Sequence, residues 1–176
     1  MHDKIRKILY VGLLISLEII LTRFISIENP IVRISFEFIP VAISAILFGP
    51  VMAGGAAAIA DVLGMMIFPK GPYFPGFTLS AFISGYLYGL ILYKKQITLA
   101  RSFLASLVVI LTTSLVLNTI WLIYLTQNGA YAILAARAVK CLVFLPIQTF
   151  MIYFTWRYTG PIISGTITGK QRFLDL

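Results

Sequence analysis

Long apolar runs separated by short polar segments dominate this 176-residue chain and limit what it can fold into. Hydrophobic residues make up 60% of the sequence and charged residues 11%, which leaves too little polar surface to cover a water-soluble domain. A helix needs about 20 apolar residues to cross the hydrocarbon core of a bilayer. The pattern predicts six such segments, over 5–24, 35–48, 51–68, 77–93, 102–125 and 131–158. We therefore expect one all-α domain over residues 1–176, an integral membrane bundle of six transmembrane helices.

The basic residues predict how these segments lie across the membrane, because lysine and arginine favour the cytoplasmic side. Six crossings bring three basic groups to one side: Lys4, Arg6, Lys7, Lys94, Lys95, Arg101, Arg157, Lys170 and Arg172. We therefore expect a multi-pass protein of the cell membrane with both termini in the cytoplasm. The second segment, 35–48, is too short to cross upright, which makes a partly re-entrant path an alternative to a full crossing.

Several function classes are excluded by composition and by missing motifs. The net charge of +8 comes from basic residues that flank apolar helices, so membrane lipid rather than nucleic acid is the expected partner. Cys141 and His2 are the only residues of their kinds, which excludes an internal disulfide and a Cys/His metal cluster. The segment 164–171 lacks the first glycine of a P-loop, and neither a zinc-protease motif nor a nucleophile elbow is present. We expect a binding protein with no catalytic residue and no metal site, and not an enzyme.

Polar side chains inside the predicted helices gather at one depth. An ionisable side chain within a spanning helix costs about 2.5 to 3.5 kcal/mol on insertion scales, so it normally faces a partner, a cavity or a ligand. In the six-helix arrangement the polar residues lie toward the outer ends of the first, second, fifth and sixth helices and near the middle of the third: Glu18, Arg23, Arg33, Glu37, Asp61, Asn118, Trp121, Arg137 and Lys140. The inner halves are almost purely apolar. The sequence therefore predicts an outward-facing ligand cup.

Two helix faces in this cup combine polar with aromatic side chains, since residues three or four apart share a face. The faces are Ser114, Asn118, Trp121 and Leu125 in the fifth segment, and Arg137, Lys140 and Phe144 in the sixth. Aromatic faces stack on rings, while amide and cationic groups bind polar edges and carboxylates. This mixture suits a flat, heteroaromatic, anionic ligand.

A simpler interpretation of the same residues also stands. Buried charges often only pair with one another, for instance Glu18 with Arg23 or Asp61 with Lys140. Trp121 could belong to the belt of aromatic residues at a membrane interface. In that case no shared cup exists.

The connection between the third and fourth segments has an unusual composition. Residues 69–79 contain three prolines and two glycines, which predicts a non-helical segment with a type II turn centred on Pro75 and Gly76. Tyr73, Phe74 and Phe77 would then lie over the cup as a lid. Aromatic residues beside a membrane boundary also serve as anchors, and this alternative is equally open.

Six short blocks resemble the substrate-binding S component of energy-coupling factor (ECF) vitamin transporters, most closely the folate-specific subfamily. The blocks are 38–40, 48–50, 61–64, 69–81, 118–122 and 137–140, and the likeness extends over nearly the whole chain. The Pro/Gly/Phe-rich block 69–81 is the most specific of them, whereas Phe-Gly-Pro at 48–50 alone is a weak signal.

The resemblance implies a six-helix bundle that captures a vitamin from outside, with folate as the transported ligand and no cofactor of its own. It also implies partners: a transmembrane coupling protein and two cytoplasmic ATPase subunits that use ATP, with the S component toppling in the membrane to release its ligand. A small-residue pattern in helix one contacts the coupling protein in this family. Here Gly12 and Ser16 occupy that spacing, small residues but not the usual alanines.

The resemblance further implies which residues bind the ligand. Asn118, Trp121, Arg137 and Lys140 match positions of the family motifs, and the pterin is expected to stack on aromatic rings while carboxylates meet basic groups. Asp61 would either bind the amino edge of the pterin or pair with a cation of the sixth helix. Arg33, Phe74 and Phe77 are included on their position alone: they lie near the mouth of the cup.

Three rival functions remain at this stage. The same fold could bind another vitamin, such as thiamin, riboflavin or a queuosine precursor. A membrane-embedded enzyme would use Asp61 or Glu37 as acid or base and would show turnover in isolation. A stand-alone exporter or channel would transport without ATPase subunits.

Overall fold

The computed structural model of the chain describes residues 2–28, 33–69, 73–126 and 130–168. Its α-helices are α1 His2–Arg23, α2 Phe38–Phe48, α3 Pro50–Ile67, α4 Pro75–Leu92, α5 Leu99–Val109, α6 Asn118–Thr126 and α7 Ala130–Thr168. A π-helical segment, Ile110–Leu117, joins α5 to α6 without a break. Between α1 and α2, two short strands, β1 Ile27–Glu28 and β2 Arg33–Ile34, pair antiparallel, with Ile27 opposite Ile34.

Because α5, the π segment and α6 form one continuous rod, the described chain has six helical rods, the number that the sequence predicts. Among the residues that the structure describes, four stretches are long and apolar enough to cross a bilayer: Pro50–Ile67, Pro75–Leu92, Leu99–Leu125 and Arg137–Gly160. The helix α2 has 11 residues, so it is about 16 Å long, roughly half the hydrocarbon thickness. Its shortness agrees with the sequence prediction for this segment.

The short helix α2 lies at the centre of the bundle, where it contacts α1, α3, α4 and α7. Eight of its 11 residues are buried, and a helix that is apolar all round is typical of a protein interior. Val41 and Ala45 of α2 share one hydrophobic core with Ala57 of α3 and Tyr88 of α4. Burial inside the protein explains how a helix too short to cross the membrane is accommodated.

Helices α3 and α4 approach each other closely because glycine stands at their contact. A Cβ atom on Gly85 would lie 2.5 Å from the Ala53 carbonyl oxygen, and one on Gly89 would lie 2.3 Å from the Pro50 Cα. Both obstacles are backbone atoms, which cannot rotate away. Small residues of this kind let transmembrane helices pack at short distance, as the sequence suggests for the bundle.

The predicted turn at Pro75 and Gly76 is wrong, because α4 already begins at Pro75. Phe74 is the N-cap residue and has an extended backbone, with φ −131° and ψ 120°. A residue before proline favours that conformation, and proline at the first helical position has no amide hydrogen that needs a partner. Proline and glycine therefore start a helix here instead of forming a turn.

The π segment has a local cause in its threonines. The hydroxyl of Thr112 donates to the Val108 carbonyl, and that of Thr113 donates to the Val109 carbonyl at 2.6 Å. Such bonds compete for the carbonyls that the α-helical amides normally use, and they bend helices. Regular α-helical spacing, on which the stripe from Ser114 to Leu125 was predicted, does not hold through this segment.

Candidate functional site

A cavity of about 170 Å³ lies between α1, α2, α3, α4, the π segment and α7. A single water needs about 10 to 15 Å³, so this space holds more than isolated waters. The polar residues of its wall come from α1, α3, α4, the π segment, the first residue of α6, α7 and the residues just before α2: Glu18, Thr22, Ser35, Glu37, Asp61, Ser80, Ser84, Thr113, Ser114, Asn118, Lys140 and Gln148. They occupy the end of the bundle at which α1 and α3 end and α4 begins. Polar groups from separate helices thus meet in one hollow.

Asp61 of α3 is the carboxylate whose surroundings are best defined. Its Oδ2 accepts a hydrogen bond of 2.7 Å from the Thr78 hydroxyl, which lies 3.2 Å from the Tyr73 hydroxyl. Its Oδ1 lies 3.9 Å from Nη2 of Arg23 at the end of α1. Two helices therefore hold this carboxylate in place at the cavity wall.

Arg23 reaches Asp61 across a glycine. The Arg23 side chain is only 3% exposed, and a Cβ atom on Gly64 would lie 2.8 Å from its Nε. Glycine at this position of α3 leaves the space in which the guanidinium lies. The internal pairs named from the sequence are Glu18 with Arg23 and Asp61 with Lys140, whereas this ion pair joins Arg23 to Asp61.

Lys140 and Asn118 face the same cavity from α7 and from the start of α6. The Lys140 Nζ lies 5.7 Å from the centre of the Phe144 ring, close enough for a cation–π contact. The Asn118 Oδ1 is buried, and no hydrogen-bond partner for it exists among the described residues. A buried acceptor of this kind is costly unless a donor reaches it, so it is suited to a ligand N–H group.

Arg137 lies one helical turn before Lys140 but does not line the cavity. Its Nη1 donates to the Ser114 carbonyl at 3.0 Å and to the Thr119 hydroxyl at 3.3 Å. Arg137 therefore connects α7 to the π segment and α6.

Beside the cavity, Phe74 is surrounded by other rings, and we call Phe74, Phe77, Trp121 and Tyr124 the aromatic cluster. The Phe74 ring centre lies 5.6 Å from that of Trp121 and 6.0 Å from those of Phe77 and Tyr124. The Trp121 Nε1 donates to the Ser80 hydroxyl at 3.1 Å. Phe77 and Ser80 line the cavity, and they contact Phe74 and Trp121, respectively. The aromatic cluster therefore supports the cavity wall.

The structure brings together four of the eight residues predicted to bind ligand: Asp61, Phe77, Asn118 and Lys140 all line the cavity. Phe74, Trp121 and Arg137 contact the residues that form its wall. Arg33 is the first residue of β2, and its side chain lies outside what the structure describes. The two predicted partner-binding residues, Gly12 and Ser16, are exposed on α1, away from the cavity.

Sequence reasoning missed several wall residues, of which Gln148 is the most polar. Its Nε2 donates to the hydroxyl of the fully buried Tyr88 at 2.6 Å. Gln148 continues the face of Lys140 and Phe144 by four more residues, so an extended stripe could have revealed it. Serine and threonine of the wall, such as Ser84 and Thr113, gave no such signal, because these residues are common in transmembrane helices, where their hydroxyls can bond to the helix backbone.

The wall is chemically suited to binding. It offers carboxylates, one ammonium, two side-chain amides and several hydroxyls around an apolar lining, an arrangement typical of sites for small polar molecules. Within the described ranges, no group of three or more His, Cys, Asp or Glu side chains could hold a metal ion.

Comparisons with known proteins find relatives over most of the chain. The family model described as "ECF-type riboflavin transporter, S component" matches residues 2–143. The folate transporter FolT of Clostridium novyi (strain NT) is 47% identical over 154 residues, which cover 88% of this chain and 90% of that protein. The folate transporter FolT of Leuconostoc mesenteroides subsp. mesenteroides is 31% identical over 167 residues, which cover 92% of this chain and 89% of the relative.

A solved structure gives the same result for the fold. The crystal structure of FolT bound with folic acid matches with a TM-score of 0.81 and 39% sequence identity. The match covers 84% of this chain and 90% of that one. The predicted all-α, six-helix membrane fold is thereby confirmed.

Proposed function

The chain belongs to the S-component family of ECF-type transporters, and we propose that it captures folate from outside the cell for uptake. The resemblance inferred from the sequence is confirmed, as is the prediction that the chain is not an enzyme, because its relatives are named as transporters. It is a multi-pass membrane protein. The observation that carries the folate proposal is the cavity, where acceptors and a cation from three helices converge.

We assign complementary roles to four of the wall residues. Folate joins a flat pterin, with several N–H donors, to a glutamate that carries two carboxylates. Asp61 and Asn118 supply acceptor oxygens that suit the pterin N–H groups, and the buried Asn118 Oδ1 supports this assignment. Lys140 supplies a positive charge for a carboxylate, and Phe77 supplies an aromatic face for stacking.

The remaining predicted ligand-binding residues have weaker support. Arg33 stays a proposed carboxylate contact on the position of β2 next to the residues that line the cavity. Phe74 and Trp121 act on the ligand through the aromatic cluster, by holding Phe77 and Ser80 in place.

Uptake requires an energy source that this chain lacks. We propose that a transmembrane coupling protein and two cytoplasmic ATPases supply it by using ATP. The exposed face of α1 supports a docking role for Gly12 and Ser16, since a Cβ atom on Gly12 would meet no atom within 4 Å. A small-residue surface of this kind lets another transmembrane helix approach closely.

The proposed orientation has both termini in the cytoplasm and the cavity toward the outside. Basic residues support it: Lys94, Lys95 and Arg101 lie at the end of the bundle opposite the cavity, after α4 and at the start of α5. Membrane lipid surrounds the exposed apolar side chains, such as Leu13, Ile59 and Leu142.

Titration of the purified, detergent-solubilised chain with folic acid tests the ligand. We expect saturable binding to the chain alone, without coupling protein or ATPases. A second candidate ligand is riboflavin, because the matching family model carries that description. Competition with unlabelled riboflavin, thiamin and a queuosine precursor separates the candidates: displacement of folate by none of them supports the assignment, and absence of folate binding would contradict it.

A further inference from the structure

The side chain of Arg137 joins two helices at the point where one of them leaves regular α-helical geometry. Its Nη1 donates to the carbonyl of Ser114, inside the π segment, and to the hydroxyl of Thr119, just beyond it. Thr119 is 4% exposed, so this contact lies inside the protein. One guanidinium therefore spans the junction between the π segment and α6.

The carbonyl that accepts from Arg137 is one that loses its usual α-helical hydrogen bond in the π segment. In a regular α-helix the amide of residue 118 donates to the carbonyl of residue 114. Here the Asn118 amide donates to the Thr113 carbonyl instead, which leaves the Ser114 carbonyl able to accept from Arg137. The guanidinium contact thus depends on the altered hydrogen-bond register of the π segment.

This register decides which side chains face the cavity. An α-helix turns by about 100° per residue, so a shift of one residue in hydrogen-bond register redirects every later side chain by roughly that angle. In the structure Ile110, Thr113, Ser114 and Asn118 line the cavity, whereas Trp121 does not. The orientation of Asn118, whose Oδ1 is buried without a partner among the described residues, depends on it.

We propose that Arg137 is a positioning residue: it fixes the π segment against α7 so that Asn118 faces the ligand, and it makes no direct contact with ligand carboxylates. The proposal rests on the proposed function, because it assigns a role within the folate site. Lys140, one turn further along α7, is the cation that does line the cavity. The two cations of this helix therefore have different tasks.

A series of ligands with decreasing charge distinguishes positioning from direct contact. Folic acid, pteroic acid and the neutral 6-hydroxymethylpterin share the pterin and differ in their carboxylates. Arg137→Ala should weaken the binding of all three by a similar factor, about tenfold, because a charge-assisted hydrogen bond is lost behind the wall. A loss that is confined to folic and pteroic acids, or an unchanged affinity for all three, would overturn the proposal.

Two milder variants cover the case in which Arg137→Ala does not fold. Thr119→Val keeps the side-chain shape and removes one acceptor, and Arg137→Lys keeps the charge and one donor. Both should lower affinity for the three ligands equally and by less than Arg137→Ala. The matched controls are Arg157→Lys and Thr159→Val on α7, whose side chains bond within that helix, and these should leave affinity unchanged.

A double-mutant cycle tests the route through Asn118. If Arg137 acts by orienting that amide, Arg137→Lys should weaken binding in the wild-type background and cause little further loss in an Asn118→Ala background. If the two substitutions reduce affinity by independent factors, Arg137 does not act through Asn118. A general loss of stability would not make the effect of one substitution depend on the other.

Amide hydrogen exchange provides a readout that needs no ligand. Exchange of a peptide covering 110–119 should be faster in Arg137→Lys and Thr119→Val than in the wild type, and unchanged in Arg157→Lys. Unchanged exchange in the first two variants would overturn the positioning role. This result stands even if the wild type fails to bind folate, so failure of the folate proposal and failure of this inference are distinguishable.

Discussion

At the scale of single residues, the pair formed by Arg23 and Asp61 shows how a buried charge can be stabilised and still face a cavity. The carboxylate is held by a guanidinium on one side and by the Thr78 hydroxyl on the other, yet it still lines the cavity. A charge inside a membrane protein needs such partners when no ligand is present. The sequence left internal pairing and a shared cup as alternatives. Asp61 shows both, because it pairs with Arg23 and also lines the cavity.

Asp61→Asn tests the carboxylate directly. The amide keeps the shape of the side chain but loses its charge, so folic acid should bind about 10- to 100-fold more weakly, in line with about 1.5 to 3 kcal/mol for a charge-assisted hydrogen bond. Equilibrium titration measures this. An affinity equal to that of the wild type would mean that Asp61 only pairs with Arg23.

Gly64→Ala tests the space that Arg23 occupies. The new Cβ would lie 2.8 Å from Nε, so the guanidinium must shift and its contact with Asp61 should weaken. Because the end of a flexible side chain can adjust, we expect a loss of stability of only about 1 kcal/mol, together with weaker folate binding. Gly55→Ala in the same helix is the control, because its Cβ would meet nothing within 4 Å. Thermal unfolding and titration should separate the two variants, and equal behaviour would show that Arg23 adjusts freely.

The hydrogen bond between Gln148 and Tyr88 invites a comparison of single and double variants. Gln148→Leu leaves the buried Tyr88 hydroxyl without this donor, which should destabilise the protein by about 1 to 3 kcal/mol. Adding Tyr88→Phe removes both partners, so stability should largely return. Folate affinity should stay low in the double variant if Gln148 also contacts ligand, and its full recovery would assign Gln148 a structural role alone.

At the scale of helices, the long apolar runs of the sequence predicted most of the fold. The rods over 50–67, 75–92 and 99–126 lie close to the predicted segments, because long apolar runs leave few alternatives. Two errors have local chemical causes. Proline at the first position of α4 turned an expected loop into a helix, and threonine hydroxyls favoured a π segment that α-helical spacing cannot foresee.

The contact between α3 and α4 gives a prediction at this scale. Gly89→Ala places a Cβ atom 2.3 Å from the Pro50 Cα, and backbone can yield only if the two helices separate. We expect a strong loss of stability, at least 1 to 3 kcal/mol on the scale known for overpacked cores. Gly12→Ala, on the exposed face of α1, is the matched control and should unfold at the wild-type temperature or slightly above it, because alanine favours helix more than glycine does.

At the scale of the whole molecule, sequence predicted where the site lies better than which atoms form it. Intramembrane polar residues pointed to a common depth, and four of the predicted ligand-binding residues line one cavity. Arg137 illustrates the part that sequence could not provide: helical spacing gives a face, but the partner across the bundle depends on the register of a neighbouring helix. The single-domain assignment for residues 1–176 stays a prediction.

Substitutions on the exposed face of α1 should affect transport but not ligand binding. Replacing Gly12 and Ser16 together by leucine should leave folate binding unchanged, since neither residue lines the cavity. Close approach of a coupling protein would be blocked, so ATP-dependent folate uptake should be lost when the variant is combined with its transport partners. Reconstituted vesicles measure uptake, and normal uptake by this variant would show that docking uses another surface.

The close contact of α3 with α4 also limits how these two helices can move relative to each other. These helices meet through backbone atoms beneath the cavity, at the end where Pro50 and Gly89 lie, and there they cannot part without disrupting the bundle. Main chain packed against main chain leaves no side chain there whose rotation could open a gap. We therefore expect α3 and α4 to move as one rigid unit whenever the protein changes shape in the membrane.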